Sequence, residues 1–531
     1  MVASPSPRRF SGAPLVALVV GIACGPRAPV PAPSPAPPPP TATPDPVATP
    51  APQSEAVGVR WVAPGLVDAH AHPQSLGRHL GQLRLNGLPT RAATLAAVAA
   101  AAPADDGWVR GRGWDHTDWT DHDGGFPSAA DLDTLFPDRP VALRRVGGHA
   151  TWVNTAALAA AGITADTPDP EGGRILRDPT GEATGVLIDA AGDLLPKAPS
   201  PSPETLRQQL ALGLEVMAST GLTGAHDMGV SDATLSLYEQ MDAEGALRLR
   251  IFAYLNPDAE AVARLKAEGP WCGRRLCVVG VKMYADGALG SRGALLSAPY
   301  ADEDGHVGLA INDPAVLEAE ATALLRAGAQ LAVHAIGDAG IHGVLDAFEA
   351  ARAAVPAAAA VPLRVEHLQV VRPEDLARLA PLNVVASMQP THATSDMPWV
   401  AARLGADRVP WSYAWQDVRA SGALLVFGSD FPVEEVSPSY GLWAATTRTD
   451  LAGQPAGGWR PDQALSLPDA VRAFSTDTLA ALPPSVRAQA DSSGDHTTLV
   501  AAAGPEGRGG DGLWWGAVET VVGGQPVWAA P

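Results

Sequence analysis

From Leu66 onward the chain alternates short apolar runs, each ending in a polar residue, with Ala/Leu-rich stretches of helical spacing. That rhythm marks repeated strand-then-helix units, because each crossover helix returns the chain to the same end of a growing parallel sheet. Eight such runs can be counted: Leu66 to His72, Leu222 to Asp227, Leu249 to Leu255, Val278 to Tyr284, Gln330 to His334, Leu363 to His367, Val384 to Met388 and Leu424 to Phe427. Helical stretches such as Pro203 to Ser219, Pro314 to Ala327, Ile341 to Ala354 and Pro373 to Leu379 lie between them. Several open with proline in the first turn, where its missing N–H costs little. The economical solution is an α/β fold, a closed (β/α)8 barrel over residues 66–480.

A barrel of this kind needs roughly 250 residues, and the chain has 531, so additions are required. The stretch from about 74 to 201 breaks the rhythm with Trp- and Gly-rich pieces and one extra strand at Val141 to Val146, and reads as a large insertion after the first strand. Before the barrel, Arg8 and Arg9 precede an apolar stretch from Ala13 to Ala23 that is too short to span a bilayer. The tetrapeptide Gly21-Ile22-Ala23-Cys24 resembles a bacterial lipobox, with Gly21 where Leu is usual. We therefore expect a signal peptide over residues 1–24 and a lipid on Cys24, giving an exported, membrane-anchored lipoprotein. An ordinary cleaved signal is the alternative; the arginine pair also resembles a twin-arginine signal, but Phe10 follows it without the usual spacer. Residues 25–55 form a Pro-rich tract that packs poorly, because proline fixes φ and removes donors, and they read as a disordered tether.

The net charge of −20 leaves no basic face for nucleic acid, and no membrane contact is expected beyond the N-terminal lipid. An exported chain would also allow Cys272 and Cys277 to pair, if their Cβ atoms approach closely enough.

Chemistry is concentrated at the ends of the apolar runs. In Pro64-Gly65-Leu66-Val67-Asp68-Ala69-His70-Ala71-His72, residues two apart on a strand point to the same side, so His70 and His72 can face one ion. Alone, that pair is weak evidence. Its weight comes from His334, His367 and Asp430, each at the C-terminal end of an expected strand, the barrel face on which active sites are built. Any one of these histidines could be a core residue; five groups converging there is harder to dismiss. Lys282 sits among apolar neighbours, where burial should lower its pKa.

In their order, these residues make the chain similar to the amidohydrolase superfamily, and within it to the branch of N-substituted formamide deformylases. The matching pieces are His70-Ala71-His72, Val281-Lys282-Met283-Tyr284-Ala285-Asp286-Gly287-Ala288-Leu289-Gly290-Ser291-Arg292, His334-Ala335-Ile336-Gly337-Asp338, Arg364-Val365-Glu366-His367, Ser387-Met388-Gln389-Pro390 and Phe427-Gly428-Ser429-Asp430-Phe431-Pro432. They span about residues 62–480, with further matches in the insertion at Gly113-Trp114-Asp115 and Gly148-His149-Ala150-Thr151-Trp152-Val153-Asn154. The resemblance implies a divalent metal centre, Zn²⁺ for preference. His70, His72 and Asp430 would hold one ion, His334 and His367 a second, and Lys282 as a carbamate would bridge them. One ion beside an unmodified lysine is the alternative.

By the same resemblance the ion would bring the pKa of a water from 15.7 to about 7 and polarise the scissile carbonyl. Asp430 would take the proton and pass it to the leaving nitrogen. Asp286, Arg292, Asp338 and Gln389 would position loops and ligands, and Trp114, His149, Trp152 and His392 would line a substrate pocket.

Relatives usually carry a β-sandwich beside the barrel. Here only Gly58 to Ala63, within residues 56–65, and the strands His496 to Ala502 and Ala517 to Trp528, within 481–531, remain for it, separated by the Gly-rich break from Gly504 to Gly512. A reduced sandwich is expected, which leaves the oligomeric state, a homodimer included, open. The expected activity is hydrolysis of a C–N bond, amide or N-formyl, in a small molecule. Hydrolysis of a cyclic amide, carbamate or ester on the same site is the alternative, and a catalytically silent binding lipoprotein is the reading from another class.

Overall fold

The computed structural model describes residues 60–530, apart from 86, 105, 117–118, 122–124, 146–149, 171–172, 198–200, 291, 491, 493 and 503–513. The expected signal segment and tether, and His149, lie outside the described residues.

Eight parallel strands form a nearly closed barrel: β1 (Leu66–Ala71), β2 (Leu222–Val230), β3 (Arg250–Leu255), β4 (Leu276–Tyr284), β5 (Gln330–Ala335), β6 (Leu363–His367), β7 (Val384–Met388) and β8 (Leu424–Phe427). Each neighbour in this series pairs with the next. Because crossover helices cover the outer face and side chains fill the inside, these strands are buried on both faces and read as continuous apolar runs. β4 is buried from Leu276 through Met283. At the seam between β1 and β8, the Asp430 N–H donates to the His70 carbonyl (2.8 Å) and the His72 N–H to that of Phe431 (3.1 Å). The Asp68 carboxylate reinforces this seam by accepting from the Ser429 N–H (3.1 Å) and hydroxyl (2.6 Å).

The insertion departs and returns through two touching helices, Pro73–Gly81 and Pro203–Ser219. A Cβ at Gly77 would lie 1.7 Å from the Gln209 carbonyl oxygen, and one at Gly213 would lie 2.2 Å from that of Pro73. Glycine at both positions lets the two backbones approach, so the barrel tolerates some 120 extra residues between β1 and β2 (from 82 to 202). Between these helices is a six-stranded mixed sheet, ordered Leu83–Arg84, Val109–Trp114, Val141–Arg145, Ala150–Val153, Ala183–Asp189, Gly173–Arg177. Only one of those strands is foreseen from the sequence. Two of the others carry glycine or arginine at half-exposed positions, Gly173–Arg177 and Val109-Arg110-Gly111-Arg112-Gly113-Trp114, which hides the alternation.

A second, antiparallel sheet joins the chain ends in the order Arg60–Pro64, His496–Ala502, Trp514–Val522, Gln525–Ala529. The stretch expected as a single strand from Ala517 to Trp528 is two, because Gly523 and Gly524 turn the chain with positive φ (58° and 72°). Thr497 and Thr520 donate their hydroxyls to the Gly221 and Ala218 carbonyls at 2.7 and 2.8 Å, docking this sheet onto the barrel. Cys272 and Cys277 face each other across a short antiparallel pairing and are disulfide-bonded. Among the described residues no helix is long and apolar enough to cross a membrane.

Candidate metal centre

All six ligand candidates meet at the C-terminal mouth of the barrel: His70 and His72 at the end of β1, Lys282 in β4, His334 in β5, His367 closing β6 and Asp430 just past β8. One nitrogen each of His70 and His367 and one oxygen of Asp430 lie within 4.8 Å of one another. His72 Nε2 lies 3.0 Å from Asp430 Oδ1, and Lys282 Nζ lies 3.5 Å from His70 Nε2. The His334 ring stands 4.5 Å from that of His367, centre to centre. The compact trio thus takes one histidine from each of the two expected ligand groups, instead of following the division that the resemblance implies.

Local structure aims these donors. His70 Nδ1 donates to Glu366 at 2.7 Å, which leaves Nε2 as an acceptor turned to the cavity. His367 Nδ1 donates likewise to the Gln389 side-chain oxygen at 2.8 Å. Glu366 is in turn held by Arg364 (Nε to Oε1, 2.7 Å), which also donates to the Ala69 carbonyl and the Ser387 hydroxyl, both at 2.9 Å. His367 and Asp430 take φ of 73° and 63°, a left-handed conformation that costs a non-glycine residue about 1–3 kcal/mol and clusters at functional sites.

Electrostatics suit a cation. Burial, reinforced by the Lys282 charge for His70 and by neighbouring His334 for His367, lowers both imidazoles well below their ordinary range. They are neutral, the form a metal requires. Burial pushes the Asp430 carboxyl up, but the hydrogen bond and charge of His72, whose own pKa Asp430 raises, outweigh it and hold the group ionised, below the carboxylate range. Burial brings the Lys282 amine down to about 8, against the opposing pull of Glu366 and Asp430. Two neutral imidazoles and one carboxylate, each oriented by an outer partner, fit a divalent cation.

Above the centre opens a cavity of about 440 Å³, walled by Tyr284, Leu289, Ile336, His392, Trp399 and Val433 among others. Of the remaining sequence candidates, Gln389 orients His367 and His392 faces the cavity. Asp286 is buried and accepts N–H groups from Ile336 (3.0 Å), Gly337 (2.8 Å) and Leu295 (2.8 Å), tying together the loops after β4 and β5. Asp338 accepts the Ser297 N–H at 3.0 Å and its hydroxyl, pinning the same loop. Arg292 is spent on Asp302, with two contacts of 3.1 Å.

Trp114 and Trp152 do not line the cavity. They are fully buried in the insertion, their N–H groups donated to the Leu143 and Ser128 carbonyls at 2.7 and 2.8 Å. A tryptophan beside a glycine reads equally as pocket wall or packing, and here packing claims it.

The sequence reading gives Arg364 and Glu366 a place in a matching motif but no role, and passes over Gln369. Arg364 and Glu366 stand two apart on an otherwise apolar strand, hence on one side of it, and such a pair inside a barrel must be satisfied there. That spacing was the available clue. Gln369 carries none.

The model of the amidohydrolase family matches residues 60–487. The protein YtcJ of Bacillus subtilis (strain 168) is 34% identical over 436 residues, which are 80% of this chain and 81% of YtcJ. N-substituted formamide deformylase of Arthrobacter pascens is 27% identical over 458 residues, 80% of each chain. Among solved structures, an uncharacterized metal-dependent hydrolase from Pyrococcus furiosus superposes with a TM-score of 0.65 at 27% identity, covering 80% of this chain and 84% of that one.

Proposed function

Because the chain belongs to the amidohydrolase family, we propose that it hydrolyses a C–N bond, amide or N-formyl, of a small molecule with the help of a divalent metal, Zn²⁺ for preference. The observation that carries this reading is the convergence of His70, His367 and Asp430 donor atoms within 4.8 Å on the floor of the cavity. A cation held there would polarise a carbonyl and make water a better nucleophile. Asp430, ionised and itself a member of the trio, receives the proton of the attacking water and hands it to the departing nitrogen. The distances favour one ion; a second would need His334 together with a carbamate on Lys282, whose lowered pKa makes the free amine accessible.

Purified protein, stripped with a chelator and reloaded with Zn²⁺, tests the proposal against N-formyl amines, N-acyl amino acids and cyclic amides. Turnover that disappears on stripping and returns on reloading is expected. Turnover confined to cyclic amides, carbamates or esters would shift the bond type within the same chemistry. Absence of turnover in the fully loaded protein, with retained ligand binding, would make it a binding protein.

We also propose export. A disulfide between Cys272 and Cys277 is supporting evidence, since such bonds persist mainly in oxidising compartments. Labelled fatty acid incorporated by the full chain and lost in Cys24→Ala would support the lipid anchor; equal labelling of both would reject it.

A further inference from the structure

His392 lies on the short helix Pro390–Asp396 that follows β7, lines the cavity and is 8% exposed. Its Nδ1 stands 3.2 Å from the Gln369 side-chain nitrogen. Its Nε2 is buried and has no hydrogen-bond partner among the described residues. That atom points into the same space as the metal trio: it lies 3.9 Å from Asp430 Oδ2, too far for a hydrogen bond, and its ring stacks 6.0 Å from that of His367.

The tautomer follows from the partners. A glutamine amide nitrogen can only donate, so Nδ1 of His392 must accept, and a neutral ring then carries its proton on Nε2. The Gln369 Oε1 lies on the far side of the amide, 3.4 Å from the Tyr413 hydroxyl. Nε2–H is therefore a donor with nothing to donate to. A buried donor left unpaired costs about 1–3 kcal/mol, so a built cavity that retains one is shaped for an acceptor that arrives from outside.

We infer that His392 is a catalytic residue whose Nε2–H binds the carbonyl oxygen of the scissile amide and stabilises the negative charge that develops there, with Gln369 as the positioning residue that sets its tautomer. The inference rests on the hydrolase reading above and extends it. Water oxygen bonds to the carbonyl carbon, its proton passes to Asp430, and the π pair moves onto the carbonyl oxygen. His392 donates to that oxygen. When the pair returns, the C–N bond breaks and the nitrogen leaves with the proton from Asp430. With its proton on Nε2, the ring would have no lone pair to offer an ion in the cavity, so the assignment leaves His392 out of the ligand set.

The test uses metal-loaded, ¹⁵N-histidine-labelled full chain, with His392→Asn to assign the signal. A protonated, pyrrole-type resonance at His392 Nε2 is expected. His392→Ala should lower kcat by about 10²–10³-fold, the usual cost of losing one oxyanion donor, with KM and metal content little changed. His392→Gln, which restores an N–H, should recover part of the loss. Gln369→Glu should accept from Nδ1–H and reverse the tautomer, reproducing the kcat loss with the ring still present. A pyridine-type Nε2, reduced metal content in His392→Ala, or full kcat in either the His392→Ala or the Gln369→Glu protein would overturn the assignment. If the wild-type chain turns over no amide, the hydrolase reading falls and the catalytic role with it. The nitrogen spectrum separates that failure from a wrong tautomer.

Discussion

Two clusters of rings sit on or beside strands of this molecule, one in the insertion and one at the barrel mouth, and their packing is alike. Trp114, Trp119 and Trp152 have centroids 5.8 to 6.2 Å apart, while those of His70, His334 and His367 are separated by 4.5 and 4.7 Å. What separates them is the fate of the polar atoms. The indoles of Trp114 and Trp152 donate to backbone carbonyls and have nothing left to offer. The imidazoles of His70 and His367 spend one nitrogen on Glu366 and Gln389 and keep the other for the cavity. A ring with two polar atoms can be fixed by one and act through the other; an indole has only one.

If that contrast holds, function and stability should respond separately to substitution. Asp430→Asn should show the largest effect: kcat falls by about 10²–10⁴-fold through loss of the proton carrier, with the unfolding midpoint nearly unchanged, as turnover and thermal melts would reveal. Loss of stability in place of activity would contradict the roles assigned to the mouth. In the insertion, Trp152→Ala should do the reverse. It should cost about 3–5 kcal/mol in denaturant unfolding while the metal content of the folded protein stays constant.

Glu366→Gln should straddle the two regimes, because Glu366 both orients His70 and neutralises buried Arg364. Metal affinity should drop about 10–100-fold by competition titration. Leaving Arg364 without its counter-charge should also cost about 3 kcal/mol; a variant that loses affinity alone would show that the Ala69 and Ser387 acceptors satisfy the guanidinium.

The smallest effect concerns Asp227 at the end of β2. Burial raises its carboxyl to about 6, against the pull of His72 and the Tyr238 hydrogen bond. Native Asp227 thus keeps its proton to higher pH than the unfolded chain does. Its contribution is most favourable below about pH 4 and is lost as pH rises through 6, on the order of 3 kcal/mol. Asp227→Asn, which still accepts from Tyr238, should remove that fall, so the stability difference between variant and wild type should grow from pH 4 to 7. A constant difference would place the raised pKa elsewhere.

The contrast also explains what could be read in advance. The strands β1 to β8 were legible because a parallel strand covered on both faces is largely apolar, and these runs recur between helical stretches. His70, His334, His367 and Asp430 were legible because strand ends are where a barrel can place polar groups. The insertion was not, since its sheet is assembled from short strands, and some of them, such as Val109–Trp114, interrupt the alternation with Arg and Gly. Trp114 and Trp152 were misplaced for a related reason: composition shows a large ring but not where its N–H finds a partner.

Sequence alone therefore determined the barrel, its parallel order and the residues brought to its mouth, since these follow from local periodicity and from strand ends. Tertiary structure determined which donors share one point, why Glu366, Gln389 and Gln369 matter, and which nitrogen of each imidazole faces the cavity. Those depend on hydrogen bonds between residues tens to hundreds of positions apart, such as His70 with Glu366, and no local pattern in the chain encodes such a distance.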